Sequence, residues 1–451
     1  MSSDVNLFHK YDVPAPRYTS YPTVPYWSDN PTTEQWLGFV RENMQKPSTT
    51  WSMYLHIPFC ETLCTFCGCN TSITKNHDRE EPYVGMLFKE WENYIAKVPE
   101  LLSRPLSQFH LGGGTPTFLS AKNLDRLVGR FFADCKKSKD DEFEGAVEVD
   151  PRRTTEEQLS VLRQHGFNRI SLGVQDFDPE VQRLVNRIQP YEMTKKITDT
   201  ARRLGYESVN FDLIYGLPSQ TEQKIRSMME KTCELMPDRI ALYSLAVVPW
   251  IKPAQKLFKD EDLPKGQEKR RLYEISRELL LKAGYIEIGM DHFSLPGEAL
   301  AVAAREKRLH RNFMGYTDRR TDVLLGMGVS AISEAPECFH QNEKTLPVYE
   351  KRVSAGEVPT HRGHVLSSED RRQREQILKF MTEGELELSE AQKQDAQTYL
   401  QEMMSDKLVV FDKNTMKMTE LGKPFLRNAC MVLDQRLRNQ MPNTQVFSKS
   451  L

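Results

Sequence analysis

Between residues 51 and 248 the sequence alternates six apolar, β-type runs with stretches of helical period between them. No other feature of the chain narrows its fold as much. The β-type runs fall at 51–57, 107–111, 146–149, 169–174, 208–215 and 239–248. Helix-period stretches follow at 82–98, 121–135, 155–165, 179–187 with 192–204, and 221–235. Two helix starts carry capping signals, Ser120 before Ala121 and Thr154-Thr155-Glu156-Glu157. Strand–helix alternation predicts a parallel sheet with helices outside it, an α/β class. Six repeats suit an open, partial (βα)6 barrel better than a closed eight-stranded one, and ligand groups then belong at the carboxyl ends of the strands.

The first strand run leads directly into Cys60-Glu-Thr-Leu-Cys64-Thr-Phe-Cys67-Gly-Cys69-Asn70, which holds four of the eight cysteines in 451 residues. Such clustering points to a thiophilic ligand. Structural zinc sites use two ligand pairs, and no second pair stands elsewhere in the chain. Cys135, Cys233, Cys338 and Cys430 are isolated and read as small buried apolar residues. A local zinc site would need both Cys67 and Cys69, which are too close in sequence to ligate easily together. Iron–sulfur clusters are held by thiolates from short loops. The Cys-x3-Cys-x2-Cys spacing offers three, and a four-iron cluster so held keeps one iron open for another ligand.

The remaining polar candidates also fall at strand ends. Gly112-Gly113-Gly114-Thr115-Pro116 follows the second run, and its backbone N–H groups can approach a ligand closely. It is not a phosphate-binding Walker loop, since no Gly-Lys-Ser/Thr follows. Glu148 ends the third run, Gln175 and Asp176 the fourth, and Asp212 lies in the fifth, with Arg187 after the fourth. A strand-end carboxylate can hold ribose hydroxyls or an amine, and an arginine can pair with a carboxylate.

The other segments are less specific. Residues 1–50 read as an extended Pro- and Tyr-rich arm with a short helix at 33–43; within it lies Pro16-Arg17-Tyr18-Thr19-Ser20-Tyr21-Pro22-Thr23. A helix at 266–283 leads to a strand-like run at 285–290, and a loop-rich part contains Leu309-His310-Arg311-Asn312-Phe313-Met314-Gly315. From about 367 two helices (368–381 and 389–406) and a hairpin from Leu408 suggest a mainly helical, winged-helix-like module without a basic recognition helix. The expected divisions are 1–50 (arm), 51–300 (barrel), 301–366 (a connecting segment lining the site) and 367–451 (C-terminal domain). A formal net charge of −2 gives no basic field for nucleic acid. No apolar run reaches the ~18–20 residues of a membrane span. The first residues lack a secretory core and the C-terminus is not Ser-Lys-Leu, so a cytoplasmic location is expected.

Taken together, the cysteine spacing with Phe66 before the third cysteine resembles the radical S-adenosylmethionine (SAM) enzymes. The arm motif, Tyr54-Leu-His56-Ile-Pro-Phe-Cys60, Gly-Gly-Gly-Thr-Pro-Thr, Glu148-Val-Asp-Pro-Arg, Gly173-Val-Gln175-Asp176-Phe, Val185-Asn-Arg187, Asp212-Leu-Ile-Tyr-Gly-Leu-Pro, Gly289-Met-Asp-His-Phe and Leu325-Gly-Met-Gly-Val-Ser-Ala-Ile332 narrow it. They are similar to oxygen-independent coproporphyrinogen III oxidases from Arg17 to about Ile332.

That resemblance implies a [4Fe-4S] cluster on Cys60, Cys64 and Cys67, with Cys69 an extra thiol nearby. It implies two SAM molecules: Tyr54, Gly113, Glu148 and Ile332 match positions around the first, and Phe66, Gly114, Thr115, Gln175, Arg187, Asp212 and Ala246 those around the second. The implied reaction converts two propionates of coproporphyrinogen III to vinyl groups in anaerobic heme biosynthesis. Arg17 and Arg311 are candidate cations for the substrate's carboxylates. An electron donor such as flavodoxin or ferredoxin is implied, and a monomer is expected. The chain departs from the family pattern at Leu245 and Val247, at Met314, and at Met381-Thr382, where a cysteine-bearing helix motif is expected. The first two departures remove polar groups near the second SAM and the substrate. Two alternatives follow: a diverged paralogue using one SAM on another tetrapyrrole, and a heme-binding chaperone. Such chaperones usually lack the fourth loop cysteine and the Pro-Arg-Tyr-Thr-Ser-Tyr arm, both present here.

Overall fold

The computed structural model describes residues 7–8, 10–28, 30–139, 142–439 and 447–449. Six parallel strands stand side by side in chain order: β1 (Trp51–Ile57), β2 (Leu106–Gly113), β3 (Glu144–Val149), β4 (Phe167–Gln175), β5 (Ser208–Tyr215) and β6 (Arg239–Ser244). After α1 (Thr33–Gln45) in the N-terminal segment, the helices between the strands are α2 (Glu80–Lys97), α3 (Ala121–Asp134), α4 (Glu156–Gln164), α5 (Pro179–Leu184), α6 (Tyr191–Arg203) and α7 (Glu222–Leu235). Six of the seven residues of β1 are buried, as expected of a strand covered on both faces. Ser120 caps α3, and Thr155 with Gln158 forms a capping box on α4. The sixth strand ends at Ser244, short of the expected 248. There Leu245 N–H makes the last ladder bond, to the Tyr215 carbonyl (2.9 Å), and beyond it Val248 N–H is taken by the Gln255 side chain (2.6 Å), off the ladder.

The sheet continues beyond these six. After α8 (Gly266–Lys282), the short antiparallel strands β7 (Ile286–Ile288) and β8 (His292–Ser294) extend it past β6, and α9 (Ala299–Arg305) follows. A separate hairpin, β9 (His310–Asn312) and β10 (Gly315–Thr317), lies on the inner side. On the other edge β11 (Val323–Met327) pairs parallel with β1, and β12 (Ile332–Ala335), β13 (Cys338–Asn342) and β14 (Thr360–Val365) continue antiparallel, with α10 (Leu346–Ser354) between the last two. The stretch expected to be loop-rich is thus built largely of strands. Each has six residues or fewer, too short for a clear two-residue period to register.

Polar packing closes the amino ends of the barrel strands. Arg169 pairs with Glu144 (2.6 Å), and Arg239, 2% exposed, pairs with Glu298 and with Asp318 (3.0 Å). Removing one partner from such a buried network costs about 3–5 kcal/mol, because a charge is left unpaired.

The C-terminal part contains α11 (Ser368–Glu383), β15 (Glu385–Glu387), α12 (Glu390–Tyr399), α13 (Gln401–Ser405), the hairpin β16 (Val409–Asp412) and β17 (Thr415–Met418), and α14 (Leu426–Cys430). Helix, helix and wing match the expected layout. Its core of Ile377, Phe380, Leu400, Leu408, Met416 and Phe425 also takes in Leu7, Tyr11, Tyr18 and Tyr21 of the arm. Polar contacts reinforce the union: Tyr18 donates to Asp434 (3.1 Å), Asn428 to the Tyr11 carbonyl (2.9 Å) and Arg427 to the Pro16 carbonyl (3.2 Å). Among the described residues no helix is long and apolar enough to cross a membrane.

Candidate functional site

A cleft of about 160 Å³ opens at the carboxyl ends of β1 to β5. Eleven of the expected site residues line it: Cys60, Cys64, Phe66, Cys67, Gly113, Gly114, Thr115, Glu148, Gln175, Arg187 and Asp212. Cys69 lines it too. The cysteine loop is held against the strand ends by its backbone. Gly114 N–H donates to the Ile57 carbonyl (2.8 Å), Thr65 N–H to Val185 (3.1 Å), Ser72 N–H to Pro58 (2.7 Å) and Thr74 N–H to Cys60 (2.9 Å). Gly114 is required by this approach, since a Cβ there would stand 2.7 Å from the Pro58 carbonyl oxygen. Gly113 has φ +119°, a conformation L side chains rarely adopt.

Each expected ligand sulfur has a donor at hand. Thr115 Oγ1 lies 3.3 Å from Cys60 Sγ, and Cys69 N–H donates to Cys67 Sγ at 3.4 Å. Arg152 and Arg187 both reach Cys64 Sγ, at 3.6 Å each. Such donors stabilise thiolates and tune a cluster's potential. Among the described residues no three His, Cys, Asp or Glu side chains converge as a single-ion site requires. A four-iron cluster takes its thiolates at separate corners, so three cysteines spread along one loop fit it better than they fit one zinc ion.

Glu148 stands at the floor of the cleft. It accepts the Gly113 N–H at 3.2 Å and lies 3.2 Å from His110 Nε2. Burial works against its charge, but His110 and the Gly113 N–H outweigh burial and hold the carboxyl below its ordinary range. Asp212 is the opposite case: burial, reinforced by the Glu148 charge, pushes it up to about 6, although Ser171 (3.0 Å) and Asn210 (2.9 Å) donate to it. Gln175 closes β4 with φ 70°, where the ladder to β5 shifts register. A non-glycine residue held in this region marks a position fixed by its surroundings.

Other expected residues lie apart. Tyr54 sits below the cleft on β1, its ring stacked on His110 (centroids 5.6 Å) and its hydroxyl 3.1 Å from His56 Nδ1. Ile332 opens β12 and packs near Trp27, Phe313 and Phe339. Ala246 belongs to a neighbouring cleft, and its carbonyl is linked to that of Phe66 because Gln255 Nε2 donates to both (3.0 and 3.3 Å). Asp176 is 1% exposed and satisfied by the Asp178 N–H (2.6 Å) and Gln220 (2.5 Å), a structural role. Arg311 on β9 stacks over Tyr316 at 4.8 Å, with its Nε buried and unpartnered. Arg17 reaches the Ser244 carbonyl at 3.3 Å from the neighbouring cleft. Of the departures, Met314 lines the inner cavity below the cleft. Leu245 packs with Val181, Val185, Ile214 and Leu217, with Phe66 against them, and Met381 is buried in the C-terminal core.

Asp150 and Arg152 were not singled out from the sequence. Asp150 pairs with Arg152 at 2.6 Å and Arg187 at 3.3 Å, so that it fixes both arginines at Cys64. Burial opposes its charge, yet Arg187 and then Arg152 hold it below the usual carboxylate range. The signal was available: Asp150 stands two residues after Glu148, on the same side of an extended chain.

The comparisons agree with this geometry. The model of the Radical SAM superfamily matches residues 54–232. The oxygen-independent coproporphyrinogen III oxidase of Escherichia coli is 39% identical over 99% of this chain and 98% of its own. The protein of that description from Pseudomonas aeruginosa is 37% identical over 99% of this chain and 98% of its own. The solved structure of the Escherichia coli coproporphyrinogen III oxidase, described as a radical SAM enzyme, superposes with a TM-score of 0.87 and 38% identity. It covers 93% of this chain and 98% of that one.

Proposed function

This chain belongs to the oxygen-independent coproporphyrinogen III oxidase family of radical SAM enzymes, and from that premise we propose that it oxidatively decarboxylates two propionates of coproporphyrinogen III, giving protoporphyrinogen IX in anaerobic heme biosynthesis. The observation that carries the reading is the gathering of three thiols, a glycine-rich turn, Glu148, Gln175, Arg187 and Asp212 around one cleft in a chain related over its full length.

A [4Fe-4S] cluster with SAM, when bound, would supply the radical chemistry that removes a hydrogen from the propionate β-carbon, and loss of CO2 would then pass one electron to a one-electron acceptor. The protein's part is to hold and shield these groups. Cys60, Cys64 and Cys67 would ligate the cluster, with Cys69 giving its N–H to Cys67. Gly113 and Gly114 present backbone without side-chain bulk, which suits a close-lying nucleoside. Glu148 and Asp212, ionised near neutral pH, suit the ribose hydroxyls and the amine of SAM, while Arg187 offers a carboxylate partner once Asp150 shares it. The positions around Tyr54, Phe66, Gln175, Ala246 and Ile332 complete the two SAM environments in this reading. Residues 51–300 carry the chemistry, 301–366 line it, and the arm (1–50) and C-terminal domain (367–451) cover it from solvent. The electron would come from a small carrier of the flavodoxin or ferredoxin type in the cytoplasm, and the chain would act as a monomer.

The test is anaerobic. Protein reconstituted with iron and sulfide receives SAM, reductant and coproporphyrinogen III, and 5′-deoxyadenosine, CO2 and protoporphyrinogen are followed together. Two CO2 per protoporphyrinogen is the expected result. SAM cleavage without protoporphyrinogen would replace this reading with a paralogue acting on another tetrapyrrole.

A further inference from the structure

A second cleft, about 300 Å³, adjoins the first at the carboxyl ends of β5 and β6. Tyr215, Gly216 and Ser244–Val247 form its floor; α8 provides one wall, and Phe8, Asp12 and Arg17 of the arm close another together with Ser448 and Lys449. Gln255 ties its Ala246 carbonyl to the Phe66 carbonyl of the cysteine loop, so the two clefts share a rim.

Its charges do not balance. Five cations and two carboxylates line it. Lys449 pairs with Asp12 (2.8 Å), Lys265 with Asp260, and Arg270 with Glu274 on its own helix. Arg17 and Lys269 remain, and among the described residues neither has a carboxylate within 4.0 Å of its cationic nitrogens. Each is held by a backbone carbonyl: Arg17 by Ser244 at 3.3 Å, Lys269 by Leu245 at 3.0 Å. A carbonyl orients a cation without neutralising it. Burial brings the Lys269 amine down to about 8; Asp12 opposes this and Arg17 adds to it. Two uncompensated cations in a half-apolar cleft fit an amphipathic ligand that brings its own carboxylates.

We propose that this cleft seats the edge of the tetrapyrrole carrying the propionates not undergoing reaction, with Arg17 and Lys269 as their carboxylate-binding pair. The assignment rests on the reading of the protein as a porphyrinogen decarboxylase. A macrocycle anchored here by one edge can present another propionate across the shared rim to the cysteine cleft. Its apolar face meets Leu245, Val247 and Trp250, which accounts for apolar residues at the end of β6.

The probe is coproporphyrin III, the stable oxidised macrocycle with the same four propionates, titrated by fluorescence into reconstituted protein alongside its tetramethyl ester. Wild type should bind the acid and bind the ester far more weakly. Lys269→Met should weaken the acid about ten-fold or more and leave the ester unchanged, and Lys269→Arg should recover most of the loss. If Lys269→Met keeps acid affinity within two-fold, or loses acid and ester alike, the assignment is overturned. Should wild type bind the tetracarboxylate but release no CO2 from coproporphyrinogen III, the reaction falls and the subsite stands. A wild type that neither binds nor turns over sinks both.

Discussion

The Arg187 guanidinium lies 3.6 Å from the Cys64 sulfur, held there by the Gly173 carbonyl (2.5 Å) and by Asp150 (3.3 Å), which also pulls Arg152 to the same sulfur. Asp150 touches no thiol itself, so it is a positioning residue. Asp150→Asn should leave three-cysteine ligation and iron content intact, shift the cluster's reduction potential, and lower SAM cleavage by about 10–100-fold. Potentiometric titration followed by electron paramagnetic resonance reads the first effect, and 5′-deoxyadenosine release the second. Unchanged potential and rate together would reduce the triad to packing.

The four loop cysteines should separate cleanly on substitution. Cys60→Ala, Cys64→Ala and Cys67→Ala should each abolish the cluster's charge-transfer absorbance, whereas Cys69→Ala should retain it, since Cys69 contributes an N–H to Cys67 and that bond survives truncation. Iron and sulfide assays after anaerobic reconstitution check this. A Cys67→Ala protein with a full complement of iron would contradict the ligand set.

Gly114 offers a steric test free of charge effects. A methyl group there meets backbone atoms of Pro58 (2.7 and 2.8 Å) and Phe59 (3.0 Å), which cannot rotate aside. Gly114→Ala should therefore push the cysteine loop off the strand ends, destabilise the fold by about 1–3 kcal/mol, and reduce cluster loading. Urea unfolding and iron content, measured together, are the readouts; normal loading would mean the loop tolerates displacement.

Away from the cleft, Glu90 on α2 is wholly buried yet accepts from the Gly328 N–H (2.8 Å), Tyr349 (2.7 Å) and Asn342 (2.6 Å). Burial pushes its carboxyl up to about 7, with those three donors pulling the other way. A folded-state value above the unfolded one means that the native state holds more protons. Stability from this group is full at pH below the ordinary glutamate value and is lost as pH rises through about 7. Urea midpoints should fall between pH 5 and pH 8 in wild type, and Glu90→Gln should flatten that slope. A slope that persists unchanged would assign it to other groups.

The six-strand alternation and the cysteine loop were readable because each leaves a long or dense signal. Trp51–Ile57 is a mainly apolar run with the loop directly after it, and Glu148 and Asp212 mark strand ends by polarity alone. The strands from Val323 to Val365 were not readable, because short strands in contact with long-range partners carry little local pattern. Asp150 carries one local signal, its two-residue spacing from Glu148, but only the fold shows two arginines converging on it. Lys269 could not be found in the sequence at all: a lysine in a charged helix looks solvated until the arm, brought from more than 250 residues away, closes over it.

The arm's union with the C-terminal module sets an order of events. Tyr11 bonds to Asp406 across 395 positions, Asn428 to the Tyr11 carbonyl across 417, and Lys449 to Asp12 across 437. A ribosome delivers the arm first and its partners last, so these contacts wait for nearly the whole chain to emerge. During synthesis the barrel strands and cysteine loop can assemble while the strand-end clefts still face solvent. The union of arm and C-terminal module is thus a late event in synthesis, made only after the barrel strands and the cysteine loop that lie between them.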